Sequence, residues 1–208
     1  MKRLALCALL IAAGAVFGAE VDVVVLDRDG RAVPDVVVSV SGTGLSPDES
    51  LDTAVMQQVN EAFSPHIVAV RSGQAVAFPN NDPIAHHVYS FSRPNDFTLP
   101  LSKDRNPAPV AFESEGVVVV GCNIHDHMLG YILVLEAPRF AITDDAGQAR
   151  LDVSGASEDL VFEIWSPRIR DGRPVTTQQI TASDSDGVVF KLQKKLRPEA
   201  RQESWSDY

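Results

Sequence analysis

The chain has 208 residues, with 28 acidic against 18 basic side chains and a formal net charge of −10. A surface this acidic repels polyanions, which excludes nucleic acid and anionic membranes as expected partners and favours a basic protein instead. Hydrophobic residues make up 45 %, so apolar side chains suffice for folded cores, and the length allows two small domains.

Residues 1–19 read as a secretory signal peptide: Lys2 and Arg3, an apolar run from Leu4 to Val16, then the small residues Gly18 and Ala19. The run is shorter than the roughly 20 apolar residues of a spanning helix, and no later segment approaches that length, so no membrane span is expected. The expected location is the periplasm or the medium. Cleavage near Ala19 also removes Cys7 and leaves Cys122 as the single cysteine. An exported thiol without an internal partner is a liability unless it is buried, paired with another chain or bound to metal.

In chain order, β-branched runs predict strands at Val21–Leu26 and Asp35–Val40 around the turn DRDG. The pattern fades from Ser46 to Gln58, where a loop and a domain crossing are expected. A new β region begins near Phe63, with Ile67 and Ala69, then Ala75 and Ala77, alternating around a Ser72-Gly73 turn. Further strands fit 87–91, 109–113, 117–121 and 131–136. FAITDDAGQARLDV then gives strand, turn, strand, and LVFEIW and VVFKLQ complete the set. Short strands with turn signals roughly every 8–12 residues, and no amphipathic helix, predict an all-β sandwich architecture. The polar, aperiodic residues 194–208 read as a disordered tail.

Chemistry concentrates in GCNIHDHMLG (121–130), where Cys122, His125 and Met128 are spaced C-x-x-H-x-x-M between two predicted strands. A short loop there gathers thiolate, imidazole and thioether round one point, and a further histidine is available from His86 or His87 in the strand that begins near them. Two imidazoles, a thiolate and a long axial thioether are the donor set of copper electron-transfer sites. His127 could take the place of the thioether. Plainer readings exist: a free cysteine packs as a small hydrophobe, and Met128 alone suits a core. His87 should face away from His86, because successive strand residues alternate sides. His66 reads as surface. Asp27, Asp29, Asp144 and Asp145 occupy turn positions and serve the backbone. No nucleophile and base, phosphate loop or basic patch is visible.

FSPHIVAVRSGQAVAFPNND, AHHVYSF and GCNIHDHMLGYILV together resemble the cupredoxins, or blue-copper proteins, over about 75 residues, with a ligand loop like that of the short-loop, amicyanin-like members. The resemblance implies a cupredoxin-like Greek-key β-sandwich holding one copper ion, Cu(I) or Cu(II), on His86, Cys122, His125 and Met128. His127 and His87 remain as alternative donors. Cupredoxins commonly carry asparagine after the first histidine, tying the two ligand loops together; here that residue is His87. The flanks DRDGRAVPDVVVSV and FAITDDAGQARLDV are similar to a carboxypeptidase-regulatory or transthyretin-like module, a second small β-sandwich, and the whole resembles exported methylamine-utilisation proteins. The implied division is a leader at 1–19, the first part of the transthyretin-like sandwich at 20–48, the copper domain at 49–136, the second part of the transthyretin-like sandwich at 137–193 and the tail at 194–208.

The function so implied is an exported type 1 copper protein that moves single electrons between redox partners. Four protein donors leave no open position for a substrate, so no enzyme is expected. The rival expectation is a copper-binding or chaperone module, or a structural interaction module without a redox role.

Overall fold

The computed structural model describes residues 20–47, 52–101, 105–156, 160–170, 176–180 and 187–198. The expected leader and residues 199–208 lie outside the described residues. Among the described residues every regular element is a strand, and no helix is long and apolar enough to cross a membrane.

The first strands are β1 (Glu20–Leu26), β2 (Val37–Gly42), β3 (Ala54–Val55), β4 (Gln57–Val59), β5 (Ala62–Ser64) and β6 (Ile67–Arg71). There follow β7 (Gln74–Ala77), β8 (Val88–Ser90), β9 (Phe97–Leu99), β10 (Val110–Phe112), β11 (Gly116–Cys122) and β12 (Leu129–Leu135). The last are β13 (Arg139–Ile142), β14 (Gln148–Asp152), β15 (Leu160–Trp165), β16 (Thr176–Ile180) and β17 (Val188–Lys191).

The outer strands of the sequence pair with one another. β1 runs antiparallel to β14 and parallel to β17, while β2 lies between β13 and β15, antiparallel to both. These ladders form sheets of order β14-β1-β17 and β13-β2-β15-β16. Their inward side chains, among them Val23, Val25, Val38, Val40, Phe162 and Phe190, make one core. Alternation does this: in β1, Val21, Val23 and Val25 point in and Glu20 and Asp22 point out. Turn carboxylates hold the ends. Asp27 Oδ1 accepts the backbone N–H groups of Asp29 and Arg31, and Asp144 Oδ1 those of Ala146 and Gln148.

The segment between β2 and β13 builds its own sandwich, a five-stranded sheet β6-β12-β11-β8-β9 facing β10-β7-β3, with the β4-β5 hairpin at one end. Its core contains Val68, Val70, Val76, Phe78, Val118, Val120 and Ile132, and runs on to Cys122 and Met128. β12 is apolar along both faces because both are covered. Ile132 and Val134 enter the sandwich core, whereas Leu133 and Leu135 join Ile67 against Val37 and Trp165 of the flanking sandwich. β6 shares that position and is likewise covered on both faces. Val68 and Val70 fill its own core, and Ile67 and Ala69 meet the other sandwich. In β7 the inward residue is Val76, followed by Phe78, rather than Ala75 and Ala77. A strand buried on both sides lacks the polar stripe that would reveal its inner face.

Two further differences concern the margins. The stretch expected as a loop to Gln58 contains β3 and part of the β4-β5 hairpin, each too short to show a period. Residues near the start of 194–208 are docked: Arg197 N–H donates to Arg168 O at 2.8 Å, Arg170 Nε to Lys195 O at 2.9 Å, and Leu196 packs against the flanking core.

Gly130 faces the β5 side of the core, where an added Cβ would stand 3.1 Å from Phe63 Cβ and 3.2 Å from Met56 Sδ. Gly130→Ala should therefore cost about 1–3 kcal/mol through overpacking, read as a lower urea midpoint with an unchanged slope. An unchanged midpoint would mean that Met56 and Phe63 yield freely.

Candidate metal centre

The ladder between β8 and β11 brings together residues far apart in sequence. Cys122 is opposite Val88 and Gly121 opposite Tyr89, and the Asn123 N–H donates to the His87 carbonyl at 3.0 Å. The main chain thus ties the two segments at His87, the position where this sequence lacks the asparagine common in cupredoxins. Alternation along β11 points Val118, Val120 and Cys122 into the core, and Cys122 is 3 % exposed. Beyond it the chain turns back, with the Met128 N–H donating to His125 O at 3.0 Å.

Three donors converge. His86 Nδ1 lies 3.1 Å from His125 Nδ1, and Cys122 Sγ lies 3.8 Å from His86 Nδ1 and 3.6 Å from His125 Nδ1. A circle through three atoms so spaced has a radius of about 2.0 Å, within the ~2.0–2.3 Å span of metal–imidazole and metal–thiolate bonds. The donor set of one thiolate and two imidazoles, with a thioether nearby, fits copper. Met128 is 2 % exposed and packs in the same core cluster as Cys122. Both line a cleft of about 600 Å3 that opens over Tyr89 and Phe91.

His127 and His87 stand outside the donor triangle. His127 Nε2 lies 3.6 Å from Glu61 Oε2, and its ring centroid is 6.0 Å from that of His125. His87 follows the alternation to the outer face, 6.4 Å from Tyr89, which in turn stacks 4.9 Å from Phe91. His66 packs edge-on against Tyr131 at 5.3 Å.

Asp82, which sequence reasoning missed, anchors His86. Its buried carboxylate accepts from His86 Nε2 at 2.8 Å and from the backbone N–H groups of Asn60 at 2.5 Å and Glu61 at 3.0 Å. Asn60 and Glu61 form the two-residue β4-β5 connection and both have φ of 54°, the positive values of primed hairpin turns. That twist aims consecutive N–H groups at one carboxylate. With Nε2–H donated to Asp82, His86 Nδ1 is left to face the thiol, the carboxylate–histidine arrangement that orients metal ligands. The only trace in the sequence is Asp82 four residues before His86.

Burial raises the Cys122 thiol pKa, but hydrogen bonds from His86, the backbone N–H groups and His125 outweigh it and bring the value from 9.0 down to about 6. Burial disfavours the charged form of His86, yet the thiolate and Asp82 together raise its pKa. The protein therefore prepares a thiolate beside its imidazoles before any metal arrives.

No family model matches the chain, and no curated protein matches it. Among solved structures it is similar to a Cu-containing nitrite reductase (NirK) from Thermus scotoductus SA-01, at 25 % identity and a TM-score of 0.38 over 40 % of this chain and 22 % of the reductase. The chain thus spans about a fifth of the reductase's length. It is also similar to a Cu(I) amicyanin variant, at 18 % identity and a TM-score of 0.37, covering 47 % of this chain and 99 % of amicyanin. An oxidised amicyanin variant gives 17 % identity with the same TM-score and coverage.

In metal-free protein the ultraviolet thiolate absorbance, blanked against Cys122→Ser, should titrate with a midpoint near 6. Because this folded value is depressed, the linked stability is fully present above the unfolded pKa and is lost as pH falls through about 6. A midpoint above 8 would show that the hydrogen bonds do not hold the thiolate. Asp82→Asn should weaken metal affinity about 10- to 100-fold, by competition with a chelator.

Proposed function

We propose that the chain is an exported, mononuclear type 1 copper protein that passes single electrons between redox partners. The observation that supports this most is the triangle of His86 Nδ1, Cys122 Sγ and His125 Nδ1, sized for one small transition-metal ion. In this reading Cys122 would hold the ion through its thiolate, His86 and His125 through their imidazoles, and Met128 through its thioether. Copper when bound would supply the one-electron couple. The protein's part is to hold the donors still, through Asp82 on His86 and the β8-β11 ladder on Cys122, so that both oxidation states meet the same geometry. His125 is half-buried and gives electrons a short way to the surface.

The reading includes a domain division. The copper domain spans 49–136, and 20–48 with 137–193 make one transthyretin-like domain, supported by the pairing of β1 with β14 and β17. The leader at 1–19 would export the chain to the periplasm or medium, and the likeness to methylamine-utilisation proteins would place it in that setting. Its partner would be a basic redox protein steered by the acidic surface. Opposite charges associate faster at low salt, so the reaction rate with a cationic redox protein should fall as ionic strength rises. A rate independent of salt would remove the steering.

One observation favours a second reading, transfer of the ion itself. The cleft over Tyr89 and Phe91 reaches both soft donors, Cys122 and Met128, and soft donors hold Cu(I). Rapid loss of Cu(I) to a competing chelator with an incomplete redox cycle would select it.

The deciding experiment is the visible spectrum after one equivalent of Cu(II). An intense thiolate-to-copper band should appear and be abolished in Cys122→Ser. A pale spectrum unaffected by the substitution would end the electron-transfer reading.

A further inference from the structure

The acidic character of the chain is reversed where residues 193–198 cross the loop that follows β15. Residues 166–170 and 193–198 carry five basic side chains, Arg168, Arg170, Lys194, Lys195 and Arg197, and no acidic one. Hydrogen bonds make the two segments one surface. The Arg197 N–H donates to Arg168 O at 2.8 Å, Arg168 Nε returns a bond to Arg197 O at 3.3 Å, and Arg170 Nε donates to Lys195 O at 2.9 Å. Arg197 Nη1 adds a bond to Pro167 O at 3.3 Å.

The apolar residues between the charges explain their direction. Ile169 belongs to the flanking core and Leu196 packs against it, so each acts as a peg and leaves its charged neighbours on both sides at the surface. Arg170, Lys195 and Arg197 are exposed, and Arg168 is half-buried. Gathered like charges repel one another, and none of Arg168, Arg170, Lys195 and Arg197 makes an ion pair among the described residues. A free arginine loses side-chain freedom when it binds; here three guanidinium groups are already tethered to carbonyls through Nε or Nη1, and their other amino groups make no hydrogen bond among the described residues. Forks held in this way suit planar carboxylates, which accept two parallel N–H bonds. Burial raises the Tyr131 pKa and the charge of Arg197 works against it, so the ridge lies beside β12.

We propose that this ridge docks a short carboxylate-rich segment of a partner protein, with aspartate or glutamate side chains on the forks of Arg168, Arg170 and Arg197 and the Lys195 ammonium beside them. Charge complementarity selects the occupant. An anionic membrane or a nucleic acid would bring its charge against the whole chain, whose net charge is −10, whereas a narrow segment meets the ridge alone. A basic segment is repelled. The contact is independent of metal loading, and its sign is opposite to that of the surface offered to a basic redox protein.

The test is titration of the full chain with a hexaglutamate peptide at about 20 mM salt, where exposed charges are weakly screened, followed by backbone amide NMR shifts. The shifts should saturate, centre on 167–170 and 194–197, fade at about 0.3 M salt and be absent with hexalysine. Lys195→Gln removes an ammonium that makes no hydrogen bond among the described residues and should weaken hexaglutamate about three-fold. The double variant Arg168→Gln and Arg170→Gln should weaken it at least about ten-fold. Absence of saturation, shifts centred elsewhere, or full affinity in both Lys195→Gln and the double variant would overturn the proposal. So would tighter binding to phosphatidylglycerol vesicles or inorganic phosphate than to hexaglutamate, which would reassign the ridge to a lipid or a phosphate.

Discussion

One strand, β12, has to satisfy two cores at once, and the arrangement of the rest follows from it. Ile132 and Val134 belong to the central sandwich, Leu133 and Leu135 to the seam with Val37 and Trp165. A strand of period two offers each partner alternate side chains, so neither sandwich can shift along it without burying the wrong set. β12 also starts at Leu129, directly after the loop carrying His125 and Met128. The metal loop is thereby hung between two strands that packing holds in register, β11 before it and β12 after it.

Rigidity on that side is matched by electrostatic preparation on the other. His86 does not lie in a regular strand; it precedes β8, and its orientation comes from Asp82. Asp82 in turn is held by two backbone N–H groups from the β4-β5 turn. A small hairpin with no donor of its own therefore fixes the direction of a donor ring. Each link meets a buried polar group with a partner, which a low-dielectric interior requires. Asp82 orients the imidazole, while separate hydrogen bonds from His86, His125 and backbone N–H groups hold the neighbouring thiol as thiolate.

Much of this was legible in the chain and some was not, for identifiable reasons. Strong β-branched runs gave the long strands within a residue or two, and the close spacing of Cys122, His125 and Met128 exposed the loop, because local spacing survives whatever the tertiary packing does. His86 was readable as a candidate because it opens a predicted strand, and it stands just before β8. Asp82 was hidden: an aspartate in Asn-Asp-Pro looks like turn chemistry, and its partners Asn60 and Glu61 show no glycine to announce positive φ. The inner face of β6 carries no mark in the sequence, because a second sandwich covers its outer face. β3, β9 and β16 were missed: β3 and β9 are too short to carry a period, and β16 runs Thr-Thr-Gln-Gln-Ile, with little apolar alternation to report.

The pairing of β1 with β14 and β17 has a bearing on how the molecule comes into being. Val23 finds Val188 only after nearly the whole chain has been made, whereas the strands of the central sandwich are all available once Leu135 has emerged. Chain closure over long separations is slow, and its entropic cost rises only with the logarithm of the loop. Order of synthesis therefore lets the donor-bearing sandwich form first and act as a compact bead. The flanking strands then close around it, and until they do, the apolar face of β12 that Trp165 will cover stands open to water and to chaperones.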